Sequence, residues 1–261
     1  MPFAIIPEKS NVNYRTTEYI DLAQGSNFIR ILDDSAYNVH IHYVNGAYIE
    51  CLGEECPVCK NNKRIIMENP KDFRNIPGYS SRAERYLVNV LDKTPAKLCP
   101  SCGRYNKKIG KVYPTTCSCG AILVSVEEEP INKVRILAKG KELFNQFNIL
   151  ESSVLDDKKE PIGLTNFDIT LVVSGTGRDT KVTAVPLATS TDQVKVADDE
   201  KFDVSNVSLR LSEEELLELM KGVSVKDILL ARNSLVKEPV TATSEEPINA
   251  TVKSRLDELF S

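Results

Sequence analysis

The seven cysteines of this 261-residue chain limit its fold more than any other feature, because they occur in two compact groups at residues 51–59 and 99–119. An odd number of cysteines cannot pair completely within one chain, and Cys-x2-Cys spacings are typical of metal binding. Structural Zn²⁺ takes four nitrogen or sulfur ligands in a tetrahedron. The sequence therefore predicts metal centres and not a disulfide framework.

The first group needs a histidine to complete a set of four ligands. Cys56 and Cys59 form a Cys-x2-Cys knuckle, and Cys51 precedes this knuckle by five residues. His40 and His42, the two histidines of the chain, lie upstream on an alternating segment that places both on the same face of a strand. The spacing leaves both open as the fourth ligand. We expect one structural Zn²⁺ at this position.

The second group contains a Cys-x2-Cys-Gly and a Cys-x-Cys-Gly knuckle, separated by fourteen residues that have the character of a hairpin. This is the layout of a zinc ribbon, and the polar segments around it do not suit cysteines in a hydrophobic core. A second structural Zn²⁺ is predicted at Cys99, Cys102, Cys117 and Cys119. With four protein ligands each, neither site keeps an open position for catalysis, so we expect no enzymatic activity.

Up to about Pro186 the chain consists mostly of short segments rich in β-branched and aromatic residues, such as NFIRIL, NVHIHYV and FDITLVV. Gly, Asn, Asp or Pro separate these segments, which predicts a mainly β fold. Apolar residues at helical spacing predict one helix over 141–150. Many short strands with a single helix indicate a small barrel instead of a layered α/β domain.

The last third of the chain changes character. Ser212 with Glu215 predicts a capping box for a helix over SEEELLELMKG, and Ser224 is the predicted cap of a second helix over VKDILLARNSLV. From Pro186 to the end there are 9 basic and 15 acidic residues, whereas the remainder has 24 basic and 22 acidic residues. We therefore predict an acidic helical segment at 187–236, followed by a flexible linker and acidic tail at 237–261.

Several segments resemble the zinc-containing single-stranded-DNA-binding protein family of tailed bacteriophages. They include CLGEECPVCKNNKR, RYLVNVLD, KVRILAKGKELFNQF and NFDITLVVSGTGRDTKVTAVP, and the resemblance covers about residues 19–186. It implies an OB-like β-barrel core over 1–186, with a structural zinc hairpin at about 40–60, that serves phage DNA replication, recombination or repair. The segment at 98–121 departs from the family and is interpreted as an inserted zinc ribbon.

The resemblance also implies a ligand set and partners. In the family, one histidine and three cysteines hold the zinc ion, which carries over to His42, Cys51, Cys56 and Cys59. A histidine nine residues before the first cysteine favours His42, with His40 as the alternative. The acidic tail is expected to recruit replication or recombination proteins, and cooperative self-association on DNA is a further expectation.

Sequence-independent binding of a single strand requires cations along the phosphates and flat side chains on which bases stack. The core of the chain offers both kinds of residue near its strands and its first zinc hairpin. The predicted DNA-contacting residues are Arg30, Tyr43, Tyr48, Lys60, Lys63, Arg64, Arg82, Arg85, Tyr86, Arg135, Lys139, Lys141, Arg178 and Lys181.

The alternative hypothesis is a zinc-ribbon adaptor of a replication or transcription complex that does not bind DNA itself. The net charge of −4 and the acidic tail favour it. The N-terminal segment has a short apolar run without a basic region before it, and no segment has enough consecutive apolar residues to span a bilayer. We therefore expect a cytoplasmic protein without a membrane partner, which for a viral protein means the host cytoplasm.

Overall fold

A computed structural model describes residues 18–187, 194 and 196–235, and antiparallel β-sheets dominate it. The strands are β1 Gly25–Ile31, β2 Tyr37–Val44, β3 Ala47–Glu50, β4 Ala83–Asp92, β5 Pro95–Leu98, β6 Tyr105–Lys107, β7 Glu128–Pro130, β8 Lys133–Lys139, β9 Asp168–Ser174 and β10 Lys181–Leu187. The α-helices are α1 Pro57–Glu68, α2 Lys141–Ser153, α3 Glu213–Met220 and α4 Val225–Leu235. The predicted linker and tail at 237–261 lie outside the described residues.

The main sheet has the order β10-β9-β1-β4-β2-β3, and β8 also pairs with β4. The long strand β4 organises this sheet, because its residues pair with β1 near Val90, with β2 near Leu87 and with β8 along most of its length. The prediction of a mainly β fold with helices is confirmed. Among the described strands, no pairing closes the sheet into a barrel.

The core between the main sheet and α2 follows from alternation in the strands and helical spacing in α2. Ile29 and Ile31 of β1 face the same core as Val88 and Val90 of β4. The helix adds its buried face, formed by Leu143, Phe144, Phe147 and Leu150. Each large side chain buried here contributes about 1.5–3 kcal/mol to folding. The predicted helix over 141–150 is confirmed and continues to Ser153.

The second, three-stranded sheet has the order β6-β5-β7 and belongs to residues 93–132 between β4 and β8. These residues contain the predicted ribbon at 98–121, and we call them the inserted segment after that prediction. The ends of β4 and β8 are direct register partners, Asp92 with Lys133, so the segment leaves and re-enters the main sheet at one place. The segment EYIDL at residues 18–22 also has the composition of a strand, but it contributes only a single bridge, from Tyr19 to Ile136.

The two C-terminal helices pack on the first cysteine group. The predicted capping box is present, with reciprocal hydrogen bonds between Ser212 and Glu215 at the start of α3. Leu216, Leu219 and Ile228 are buried in a cluster that also contains residues of β3 and α1. None of the described helices combines the length and the apolar character needed to cross a membrane.

Candidate metal centres and nucleic-acid interface

The first cluster consists of four side chains that β2, the turn after β3 and the start of α1 bring together: His42, Cys51, Cys56 and Cys59. Their ligand atoms lie within 4.8 Å of one another. Cys51 Sγ is 3.6 Å from Cys59 Sγ, which is 3.3 Å from His42 Nε2. Neighbouring sulfurs around a tetrahedral zinc ion are about 3.8 Å apart, given Zn–S bonds of about 2.3 Å. The cluster could hold a metal ion, and its geometry is consistent with zinc.

The structure places His42 in this cluster and leaves His40 outside it. The backbone carbonyl of His40 nevertheless accepts a hydrogen bond from the Cys51 N–H at 2.7 Å, which fixes the chain beside the site. His42 Nδ1 lies 3.1 Å from the Ser80 carbonyl oxygen, to which it can donate. This bond leaves the Nε2 lone pair directed at the cluster, the arrangement that usually orients a metal-ligating histidine. Burial lowers the pKa of His42, which favours the neutral ring that metal binding requires.

Helix α1 begins inside the first cluster, with Cys56 as its N-cap and Pro57 at its first position. Burial raises the pKa of the Cys56 thiol, but the backbone N–H groups of Cys59 and Val58 oppose this and bring it below its ordinary value. Burial and the neighbouring thiols raise the pKa of Cys59 to about 12. Several thiolates at this distance repel each other, so a bound dication would stabilise them together.

The second cluster contains Cys99, Cys102, Cys117 and Cys119, whose sulfurs also lie within 4.8 Å of one another. The Cys99 and Cys119 sulfurs are 3.5 Å apart, and those of Cys102 and Cys117 are 3.6 Å apart. The Cys119 backbone N–H lowers the pKa of the Cys117 thiol to about 6. Four sulfurs at these separations could hold a second metal ion and are consistent with a structural zinc site.

Two glycines complete the knuckles of the second cluster. Gly103 has φ +68° and Gly120 has φ +90°, a left-handed conformation that side chains disfavour. Each glycine N–H turns back to the first cysteine of its knuckle, to the Cys99 carbonyl at 2.9 Å and to the Cys117 carbonyl at 2.8 Å. The glycine in Cys-x1–2-Cys-Gly therefore allows the backbone conformation of each knuckle, in which the turn directs amide groups towards the sulfurs.

Exposed aromatic rings lie beside the first cluster. Tyr43 and Tyr48 are cross-strand partners on β2 and β3, with ring centroids 4.9 Å apart. Their exposed fractions, 55% and 64%, are large for tyrosine. Phe73 and Tyr79, in the loop between α1 and β4, form an edge-to-face pair with centroids 5.1 Å apart. We call Tyr43, Tyr48, Phe73 and Tyr79 the aromatic platform.

A cleft of about 550 Å³ opens at this platform and is lined by Tyr43, Arg74, Tyr79, Ser80 and Ser81. The Tyr43 backbone N–H donates to Ser80 Oγ at 3.0 Å, and the Ser80 carbonyl is the oxygen that His42 contacts. The cleft is thus joined to the first metal cluster through one buried serine. Sequence reasoning missed Phe73, Arg74 and Tyr79, although aromatic residues interleaved with arginine in FRNIPGY were a signal for them.

The prediction that Arg30 contacts DNA requires correction. Arg30 is fully buried, and its Nε lies 2.6 Å from Asp168 Oδ1 across the pairing of β1 with β9. Lys93 bonds to the same carboxylate. A guanidinium that is sealed into the sheet in this way cannot reach a strand on the surface, so Arg30 holds the fold together.

Tyr86 and Arg135 are partly buried, and both contact other side chains of the fold. The Tyr86 ring stacks on Phe144, with centroids 5.2 Å apart, and its hydroxyl donates to Glu84. Arg135 Nε lies 3.8 Å from the buried Asp92 carboxylate. These contacts leave both side chains less available to DNA than the sequence implied.

Other predicted cations are on the surface. Lys60 pairs with Glu55 at 2.8 Å, and Arg64 pairs with Glu68 at 3.0 Å. Such exposed ion pairs contribute about 0–1 kcal/mol to the stability of the fold. A phosphate can therefore replace the carboxylate with little loss of stability. The remaining exposed cations among the predicted residues are Lys63, Arg82, Lys141 and Lys181.

Arg85 and Lys139 form a partly buried cationic pair on β4 and β8. Burial, and then the charge of Arg85, lower the pKa of Lys139. Two like charges held together out of water are stabilised by an anion, which makes them candidates for phosphate contact. Arg178 belongs to the turn between β9 and β10, and its side chain lies outside the described part of the structure.

No protein-family model matches this chain, and no curated protein matches it. The relation to the phage family therefore stays a prediction from the sequence.

Proposed function

We propose that this protein binds single-stranded DNA without sequence preference and contains two structural zinc ions. The aromatic platform carries this proposal, because exposed tyrosines and Arg74 at one cleft offer stacking surfaces and a cation together. Rings exposed at 55% and 64% contribute little to the hydrophobic core, so their retention on the surface calls for a ligand with flat apolar groups. Nucleobases have such groups.

The strand order supports an OB-like core. With β1 and β2 counted as one interrupted first strand, the connected path β10-β9-β1/β2-β4-β8 has five members, and α2 connects β8 to β9. OB folds are partly open five-stranded barrels that bind oligonucleotides through the face of strands 2 and 3 and the loops 1–2 and 4–5. In this correspondence, the first cluster and the platform lie at the end of strand 1 and in loop 1–2, and the Arg178 turn is loop 4–5.

In the proposed mechanism, bases stack on Tyr43 and Tyr48 while phosphates meet the surrounding cations. Each stacked base contributes about 1–3 kcal/mol, and release of counterions from the phosphates supplies much of the rest. Zinc supplies folding free energy at both sites. At the first site His42 holds Ser80, and Ser80 holds the backbone of Tyr43, so the cluster fixes the position of the platform.

A fluorescence-anisotropy titration with single-stranded oligothymidylate, a mixed-sequence strand and a duplex tests the proposal. We expect similar affinity for both single strands and weaker binding of the duplex. If about five phosphates are contacted, the affinity should fall about 100-fold between about 50 mM and about 200 mM salt, since each contributes about 0.7 to the logarithmic slope. Equal affinity for duplex and single strand, or binding independent of salt, would contradict the proposal.

An adaptor function is the second candidate, and one observation favours it. Four apolar side chains of the inserted segment are 67–70% exposed: Ile109, Val112, Ile122 and Val124. Exposed apolar groups of this kind are typical of protein contacts. A folded protein with two zinc ions that fails to bind any single strand in the titration would favour this function.

A further inference from the structure

The inserted segment is attached firmly to the main sheet. The Gly110 N–H donates to the Gln24 carbonyl at 3.2 Å, and Lys107 Nζ lies 2.6 Å from the Asp21 carbonyl oxygen. Lys107 also pairs with the buried Asp92 at 3.0 Å. Gly25, with φ +99°, approaches Gly110 so closely that an added Cβ would lie 3.3 Å from its carbonyl oxygen. The segment is therefore held against β1 and is not loosely tethered.

A cleft of about 310 Å³ lies where the inserted segment meets β1. Its sheet side includes Ser26, Phe28 and Thr94, and its other side carries Lys107, Lys108 and Lys111. Ligand sites in proteins span about 300–1,000 Å³, so this cleft fits one nucleotide-sized group and not a folded partner. Hydroxyls, one aromatic ring and lysines are the groups that a nucleotide requires.

Two of the three lysines, Lys108 and Lys111, are able to pair with a negatively charged ligand. Lys107 is committed to Asp92. Lys108 makes a half-exposed pair with Glu128 at 3.3 Å, which a phosphate can displace at little cost. Lys111 is exposed and has no acidic partner within the part of the chain that the structure describes.

The outward face of the main sheet continues from this cleft. Two rows of paired residues run across β1, β9 and β10 on this face. One row is Phe28, Thr170 and Val185, and the neighbouring row is Ser26, Val172 and Thr183. These side chains are half-buried or exposed. Small hydroxyl and apolar groups leave room for an extended chain that crosses β1, β9 and β10.

We infer that the inserted segment forms one wall of the single-strand path, with Lys108 and Lys111 on the phosphates and Phe28 stacked on a base. This inference rests on the proposed function and gives the insertion a direct part in it. The ligand is single-stranded DNA, and the site extends the contact area beyond the aromatic platform.

The double substitution Lys108→Ala with Lys111→Ala tests the inference by the same titration. Loss of two phosphate contacts should reduce the logarithmic salt slope by about 1.4 and weaken binding about five- to tenfold at low salt. The substitution Lys111→Glu alone should weaken binding more than Lys111→Ala, because a carboxylate repels phosphate. The matched control is Lys158→Ala with Lys159→Ala, two exposed lysines in the loop between α2 and β9, and it should behave as the unmodified protein.

Zinc content and melting temperature establish that each variant is folded. If the unmodified protein binds single strands but the Lys108/Lys111 variant keeps its affinity and salt slope, the inference is wrong and the proposed function stands. If the unmodified protein binds no single strand, the proposed function is wrong and the inference falls with it. An equal loss in the Lys158/Lys159 control would show a nonspecific charge effect and would also overturn the inference.

Discussion

Replacing Cys56 with serine tests how far the first metal centre holds the molecule together. Cys56 is fully buried in a hydrophobic cluster that joins β3 and α1 to α3 and α4. A serine hydroxyl is not among the usual ligands of zinc. Structural zinc binds with about 10–16 kcal/mol in zinc-finger peptides, which is comparable to the whole stability of a domain, about 5–15 kcal/mol. We therefore expect the substitution to release α1, α3 and α4 together and to displace the aromatic platform.

Cys117→Ser is the matched control, because Cys117 is also a buried candidate ligand, but its apolar cluster in the described structure is formed by residues of the inserted segment, such as Cys99 and Leu123. Both variants should lose one zinc ion in metal analysis. Hydrogen exchange should show lost protection in α3 and α4 for Cys56→Ser and retained protection there for Cys117→Ser. Protected α3 and α4 in the Cys56 variant, or equal loss in both variants, would refute the coupling between the first centre and the C-terminal helices.

Three further predictions concern the platform, the buried arginine and the tail. Tyr43→Ala with Tyr48→Ala should weaken single-strand binding by about 2–6 kcal/mol in the same anisotropy assay, with little change in melting temperature. The control with phenylalanine at both positions keeps both rings and should bind nearly as the unmodified protein. Unchanged affinity of the alanine variant would exclude the platform as a binding surface. Arg30→Ala should destabilise folding by about 3 kcal/mol in urea denaturation, because the buried Asp168 loses one of the two cations with which it pairs in the described part of the chain. The folded variant should retain its DNA affinity, and a selective loss of affinity would restore Arg30 as a contact. Deletion after Val236 removes a region outside the described residues. If the acidic tail competes with DNA for the cationic surface, the deletion should raise DNA affinity, most of all at low salt. A lowered melting temperature with unchanged affinity would indicate instead that the tail packs on the folded core.

The two clusters that could hold metal ions, and most strands, could be predicted because their signals are local. Knuckle spacing identifies Cys56 and Cys59 without knowledge of the fold, and alternation identifies strands such as β1 and β9. The capping box at Ser212 is equally local, since it depends on residues three apart.

Other features depend on distant partners and could not be predicted. Arg30 has the pattern of a solvated cation, but it is buried beside Asp168, a partner 138 residues away that no local pattern reveals. Helix α1 was missed because its middle, KNNKR, has no apolar residue, and its first turn coincides with the cysteine knuckle that was interpreted as a metal-binding turn. Asn62 of α1 exchanges two hydrogen bonds with Ser80, which links the helix to the platform loop.

The junction of β4 and β8 has a consequence for whether the chain could fold without the segment between them. Because Asp92 and Lys133 are register partners, a short turn could replace residues 93–132 without disturbing the pairing of the two strands. The side-chain contacts between this segment and the main sheet are harder to replace than the connection between the two strand ends. Asp92 is fully buried, and removal of Lys107 would leave Arg135, 3.8 Å away, as its nearest cation. A shortened chain without residues 93–132 would therefore need a new partner for this buried carboxylate, in addition to a turn that joins the two strand ends.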